Sequence, residues 1–122
     1  MGKSTLEDYV AYQKALVLFD AVRDDIANWL TDPTLVRLAA QQISSADSVC
    51  SNIEEGYGRE SRAEFCRFLS YARGSLRETR GRYLRLRHWI PEHVVEERVA
   101  LADEISRMLS ASLTTLRKHP AE

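Results

Sequence analysis

Nine arginines lie within residues 59–88, and they are the side chains of this chain best suited to binding a partner. The planar guanidinium donates two hydrogen bonds at once to a phosphate or a carboxylate. The same segment contains three glutamates, so its net charge is +6, whereas the net charge of the whole chain is −1. On a helix, five of the arginines share one side. We call them the arginine stripe: Arg62, Arg73, Arg77, Arg80 and Arg87.

Two interpretations of the arginine stripe remain open. The arginines can form ion pairs with the acidic surplus of the other segments, within one chain or between subunits. Alternatively, they form a surface that binds RNA or an acidic protein. The stripe lacks the exposed aromatic residues that stack on bases in single-strand binding proteins.

Other chemistry is poorly represented in the sequence. A di-iron bundle needs Glu-x-x-His pairs, and none of His88, His93 and His119 has a glutamate three residues before it. No Cys/His cluster offers zinc ligands, and the serines have no histidine within local reach. Adjacent acidic pairs such as Asp24-Asp25 point about 100° apart on a helix and indicate solvated or ion-paired faces. We therefore predict a non-enzymatic protein without metal or cofactor.

Length and composition predict one soluble domain over residues 1–122. No apolar run is long enough to span a membrane, and the N-terminus lacks a signal-peptide pattern, so the expected location is cytoplasmic. Both cysteines, Cys50 and Cys66, occur in apolar helical contexts and are expected to be reduced and buried.

Start and stop signals divide the chain into four helices. Ser4 with Glu7 and Ser61 with Glu64 have capping-box spacing, and Asp32-Pro33 supplies an N-cap followed by an N1 proline. The predicted helices cover about 5–30, 33–55, 61–89 and 91–118. Short connections make consecutive helices antiparallel, so the fold class is an all-α up-down-up-down four-helix bundle.

The stretch SNIEEGYGRES, residues 51–61, interrupts the helical pattern with two glycines. It is too short for a phosphate-binding loop and follows no strand. We predict a tight corner, with Gly56 ending the second helix in a left-handed conformation and Gly58 as a second permissive position.

The third helix carries two further patterns besides the arginine stripe. Its core seam is predicted at Phe65, Phe68, Ala72, Leu76, Thr79, Tyr83, Leu86 and Ile90. A second side, which we call the small-residue stripe, holds Ala63, Ser70, Gly74 and Gly81. Glycine inside a helix costs about 1 kcal/mol relative to alanine, so these positions suggest the close approach of another subunit. The alternative is that they are tolerated or pack under a loop.

The first helix agrees with assembly, because its apolar residues cover more than one side. A single bundle of this size would leave part of that surface wet, which favours an oligomer.

The segment QISSADSVCSNIEEGYGRESRAEFCRFLSYARGSLRE, starting at Gln42, resembles the bacterial 23S rRNA intervening-sequence protein family. That family has a pattern close to SV-x-x-NIAEG-x-x-R, followed by a helix with A-x-GS-x-x-E. Tyr12-Gln13-x-Ala15 fits as well. Glu54 departs from the pattern, where the family usually has alanine. The matching positions are Ser48, Val49, Asn52, Ile53, Glu55, Gly56, Arg59, Phe65, Ala72, Gly74, Ser75 and Glu78.

The resemblance implies a four-helix bundle that assembles into a ring-like homo-oligomer, with a pentamer as the expected state. A distant relative, the accessory protein of diversity-generating retroelements, binds reverse transcriptase and nucleic acid. Within the motif, we expect Asn52, Glu55, Arg59 and Glu78 to form a polar network that locks the corner around Gly56, with a ligand site as the alternative.

Overall fold

The computed structural model describes residues 5–118, and over this range it is an all-α bundle of four helices. Helix α1 covers Val10–Trp29 and helix α2 covers Val36–Tyr57. Helix α3 covers Arg62–Arg85 and helix α4 covers Glu92–Lys118. The main contacts join α1 to α2, α2 to α3, α3 to α4, and α4 back to α1. The predicted fold class is confirmed.

The helix starts follow the sequence signals, with local differences. Ser61 accepts a hydrogen bond from the Glu64 backbone N–H at 3.1 Å, as its capping-box position predicts. Asp32 caps a 3-10 turn at Pro33–Leu35 rather than α2 itself, which begins three residues later. Ser4 lies outside the described residues. Thr5 is instead the N-cap of a 3-10 turn at Leu6–Asp8, and α1 starts after this turn.

The end of α3 is shorter than predicted. The helix stops at Arg85 instead of about residue 89, and a turn leads to Pro91. Leu86 and Ile90 are nevertheless buried, because the turn folds back onto the bundle. Their apolar spacing continued the helical period, so periodicity alone could not locate the helix end.

The core lies between the four helices and contains mainly aliphatic side chains. Helix α3 contributes Leu69, Ala72, Leu76 and Tyr83, of which Leu69 was absent from the predicted seam. Phe65 and Phe68 are only half-buried. Helix α2 inserts polar residues into this core, with Gln42 and Ser45 both buried. These polar residues bring α2 and α3 together around a site that the sequence did not reveal.

Candidate functional site

The corner between α2 and α3 is tight, but the predicted role of Gly56 is wrong. Gly56 lies inside α2 and is buried, and no glycine in residues 5–118 has a positive φ. A Cβ added there would lie 2.9 Å from Cδ1 of Phe65 and 3.2 Å from Cβ of Phe68. Gly56 therefore serves the close approach of α3 to α2, and Gly58 is the residue that follows the end of α2.

Arg59 holds the corner from the outside. Its guanidinium lies 3.3 Å from the Glu55 carboxylate and 3.7 Å from that of Glu64, so it bridges the end of α2 and the start of α3. The same guanidinium sits 4.9 Å from the centre of the Phe68 ring, a cation–π distance. Asn52 stays within its own helix, donating to the Ser48 carbonyl at 2.8 Å.

Two of the motif positions have consequences beyond the corner. Glu54, which departs from the family pattern, accepts a hydrogen bond from the Tyr12 hydroxyl at 2.6 Å and so ties α2 to α1. This hydrogen bond raises the pKa of Tyr12 to about 12. Burial raises the pKa of the Cys50 thiol, also to about 12, so Cys50 is an unreactive thiol at neutral pH. Cys66 is half-buried, and both cysteines are free.

Glu78 does not join the corner network. It lies sixteen residues after Arg62 in α3, which places it about 24 Å along the helix axis from the corner. Instead it lines a groove between α2 and α3 with a volume of about 500 Å³. We call this the α2–α3 groove, and its other lining residues are Arg37, Ala40, Gln41, Ser44, Ser45, Ser48, Ser75 and Arg82.

The floor of the α2–α3 groove is a buried polar network. Gln42 donates to the Thr79 carbonyl at 3.0 Å, and the Ser45 and Thr79 hydroxyls are 2.7 Å apart. Arg82 donates from Nη1 to Oε1 of Gln42 at 2.9 Å and to Oγ of Ser45 at 3.0 Å. Burial lowers the pKa of the Arg82 guanidinium, and the positive charge of Arg85 acts in the same direction, whereas the Glu78 carboxylate acts in the opposite direction.

A second buried network joins three helices and was not predicted. Asp25 in α1, only 3% exposed, accepts two hydrogen bonds from Arg98 in α4, at 2.8 and 3.0 Å. It also accepts one from the Tyr83 hydroxyl in α3 at 2.7 Å. Burial raises the pKa of Tyr83, and Asp25 raises it further, so Tyr83 remains a donor. Asp24, by contrast, pairs with Arg23 at the surface.

The small-residue stripe lies on the outer face of α3. A Cβ added at Gly74 would meet nothing within 4 Å, and one at Gly81 would meet only the end of the Arg85 side chain. Ala63 is exposed and Ser70 is half-buried. Beside Gly74 stands Tyr71, which is 51% exposed. Close packing within residues 5–118 therefore does not explain the two glycines.

The arginine stripe runs along the junction of α3 and α4, and most of it is engaged. Arg80 pairs with Asp103 of α4 at 2.7 Å, and Arg73 donates to the Ser110 hydroxyl at 3.2 Å. Arg87 donates to the Leu84 carbonyl at 2.9 Å. Arg62 lies in the first turn of α3 beside Arg117 and Leu116 of α4. Arg77 is exposed and forms no hydrogen bond or ion pair with residues 5–118.

Of Arg73, Arg77, Arg80 and Arg87, Arg80 is the member that forms an ion pair within residues 5–118. Both members of its pair are 40% exposed, so solvent screens their attraction.

Within residues 5–118, no group of three or more His, Cys, Asp or Glu side chains could hold a metal ion. None of the described helices is long and apolar enough to cross a membrane.

Comparison with known proteins supports the motif. The curated proteins give no match to this chain. A family model described as 23S rRNA-intervening sequence protein matches residues 7–111, which include the corner, the α2–α3 groove and most of α4. The chain therefore belongs to the 23S rRNA-intervening sequence protein family.

Proposed function

We propose that the protein is a non-enzymatic scaffold whose copies assemble into a homo-oligomer through the outer face of α3. The observation that carries this proposal is Gly74. It lies in the middle of a helix, where glycine costs about 1 kcal/mol relative to alanine, and no atom of residues 5–118 outside its own helix turn lies close enough to require it. The close approach of another subunit's backbone to this face would explain why the position has no side chain.

The surroundings of Gly74 suit a protein partner. Tyr71 and Leu84 leave large apolar or aromatic surface exposed on either side of the small-residue stripe. Aromatic residues beside small ones allow a flat, close contact, and tyrosine is enriched in interfaces. On α1, Leu16 and Val17 are also exposed, as the apolar pattern of that helix predicted. These faces together offer a subunit two surfaces, which a ring needs for its heterologous contacts.

The pentameric ring remains the expected state from the family resemblance. The RNA-binding alternative depends on the arginine stripe, of which Arg80 is paired and Arg73 is turned toward α4. Arg77 is exposed and has no partner among residues 5–118. A single available arginine is a weak phosphate-binding surface, so this geometry favours the scaffold over RNA binding by the stripe.

The test is Gly74→Leu, which adds four carbons to the proposed interface. We expect light scattering to show a lower molar mass than the wild type, with the helical circular dichroism spectrum unchanged. The matched control is Ala100→Leu, a similar enlargement at an exposed position of α4. If Gly74→Leu assembles as the wild type does, the outer face of α3 is not the interface.

A further inference from the structure

The α2–α3 groove contains a buried positive charge that the Glu78 carboxylate attracts but does not contact as an ion pair. Arg82 is only 8% exposed, and its three hydrogen-bond acceptors are the neutral oxygens of Gln41, Gln42 and Ser45. No carboxylate of residues 5–118 forms an ion pair with it. Nε is buried without an acceptor, whereas Nη2 has no partner in this part of the chain but is not sealed from solvent.

A guanidinium in this state favours an anion in the groove. A buried charge is destabilising unless it is paired, and an unsatisfied N–H group adds to that penalty. All three neutral acceptors bind the same nitrogen, Nη1, so Nε and Nη2 of the guanidinium donate no hydrogen bond within residues 5–118. An anion placed against Nη2, the nitrogen that solvent can reach, would pair with the charge and accept a hydrogen bond there, while Nε stays buried.

Further donors line the same groove. Ser44 and Ser75 contribute hydroxyl groups, and Arg37 contributes a second guanidinium that has no partner among residues 5–118. A phosphate monoester carries a charge of about −1.5 to −2 at neutral pH, and the two guanidinium groups outweigh the single carboxylate of Glu78 in the groove. We propose that the α2–α3 groove binds the phosphate group of a phosphorylated sugar, held by Arg82 and Arg37.

The size and depth of the groove favour a small molecule. Its volume of about 500 Å³ falls within the range of small-molecule sites. Arg82 is too recessed for a nucleic-acid backbone, whose phosphates lie on the outside of a wide polymer, to reach it easily.

Glu78 selects the rest of the ligand. Its carboxylate lines the groove and would repel a phosphate placed against it. A carboxylate at this position instead accepts hydrogen bonds from hydroxyl groups, as acidic residues do with ribose in dinucleotide sites. The phosphate therefore lies toward Arg82 and Arg37, and the sugar hydroxyls lie toward Glu78.

Calorimetric titration of the full chain at low salt tests the proposal with ribose 5-phosphate, ribose and inorganic phosphate. We expect ribose 5-phosphate to bind at least about tenfold more tightly than ribose, since a charge-assisted hydrogen bond is lost without the phosphate. Inorganic phosphate should bind more weakly than ribose 5-phosphate. Equal binding of the two phosphates would overturn the sugar assignment, and equal binding of ribose and ribose 5-phosphate would overturn the site.

Variants locate the site. Arg37→Gln and Ser44→Ala change exposed residues of the groove and leave the fold intact, and Arg37→Gln should weaken ribose 5-phosphate binding about tenfold. Arg82→Lys keeps the positive charge but loses the planar guanidinium, and it should also weaken ribose 5-phosphate binding. Arg107→Gln, the same charge change at an exposed position of α4, should have no effect. An unchanged affinity in Arg37→Gln would contradict the proposal.

The α2–α3 groove adjoins the proposed interface, since Ser75 and Glu78 line both the groove and the surface around Gly74. If a neighbouring copy fills the α2–α3 groove in the oligomer, ribose 5-phosphate will bind only to dissociated subunits such as those expected of Gly74→Leu. That result would overturn the groove as a ligand site of the assembled protein.

Discussion

Replacing Gly56 with alanine should destabilise the protein, although alanine is the better helix former. The backbone at this position is helical, so the change gains about 1 kcal/mol of helix propensity. The added Cβ would, however, lie 2.9 Å from Cδ1 of Phe65 and 3.2 Å from Cβ of Phe68. Overpacking of a close contact costs about 1–3 kcal/mol.

The steric term should prevail, because neither phenylalanine can move freely. The Phe65 ring packs edge-on against Tyr57 with ring centres 5.1 Å apart. Cβ of Phe68 is attached to the α3 backbone, so it moves only if the helix moves. We expect a net loss of about 1 kcal/mol, which for a chain of this length lowers the melting temperature by roughly 4 °C.

Thermal and urea unfolding measure this effect, with Gly58→Ala as the control. Gly58 belongs to the same corner, but its φ is −82°, and an added Cβ would meet the Glu55 and Glu54 carbonyl oxygens at 3.5 and 3.9 Å, which are ordinary contacts. That variant should be neutral or stabilised by about 0.4–1 kcal/mol through the unfolded state. If Gly56→Ala is as stable as Gly58→Ala or more so, the close-approach explanation of Gly56 is refuted.

Three further predictions concern the charged and polar networks. Asp25→Asn should lower the free energy of unfolding by roughly 3 kcal/mol in urea titrations, because it removes one charged partner of a buried ion pair. The control Asp24→Asn changes an exposed residue and should alter this free energy by less than about 0.5 kcal/mol. Equal effects of the two substitutions would contradict the buried network. Replacing Arg73, Arg77 and Arg80 together with glutamine should lower stability by less than about 1 kcal/mol, since the Arg80 pair is screened by solvent. Salt-dependent RNA binding by the wild type that this triple variant abolishes would instead support the RNA alternative. Stability should also fall as the pH rises from 10 to 12, because unfolded tyrosine loses its proton near pH 10 while folded Tyr12 keeps it until about 12. Tyr12→Phe should reduce this dependence and leave the part that Tyr83 contributes; an unchanged slope would argue against the Tyr12–Glu54 hydrogen bond.

The helices were predictable because their signals are local. Ser61 and Asp32 are caps in the structure as their residue types indicated, and α4 is helical through Lys118, the last described residue. The role of Gly56 was not predictable, because a glycine inside a helix and one that ends it look alike in the sequence. The contact with Phe65 that distinguishes them is tertiary.

The buried polar residues escaped prediction for a related reason. Arginine and aspartate are rarely buried, so nothing in the sequence marked Arg82 as buried, and Asp25 belonged to an acidic pair that was predicted to be solvated or ion-paired. Each side chain can be buried because it forms hydrogen bonds with polar residues of other helices. Arg82 donates to Gln42 and Ser45, and Asp25 accepts from Arg98. The unusual polar residues of α2 were the available signal for the α2–α3 groove.

Sedimentation equilibrium of the wild-type protein tests the central claim, assembly through the outer face of α3, most directly. The scaffold proposal predicts a single species several times the 13.9 kDa of one chain, with about five times that mass if the ring is the expected pentamer. A molar mass of 13.9 kDa over the whole micromolar range would contradict the assembly and leave Gly74 without an explanation.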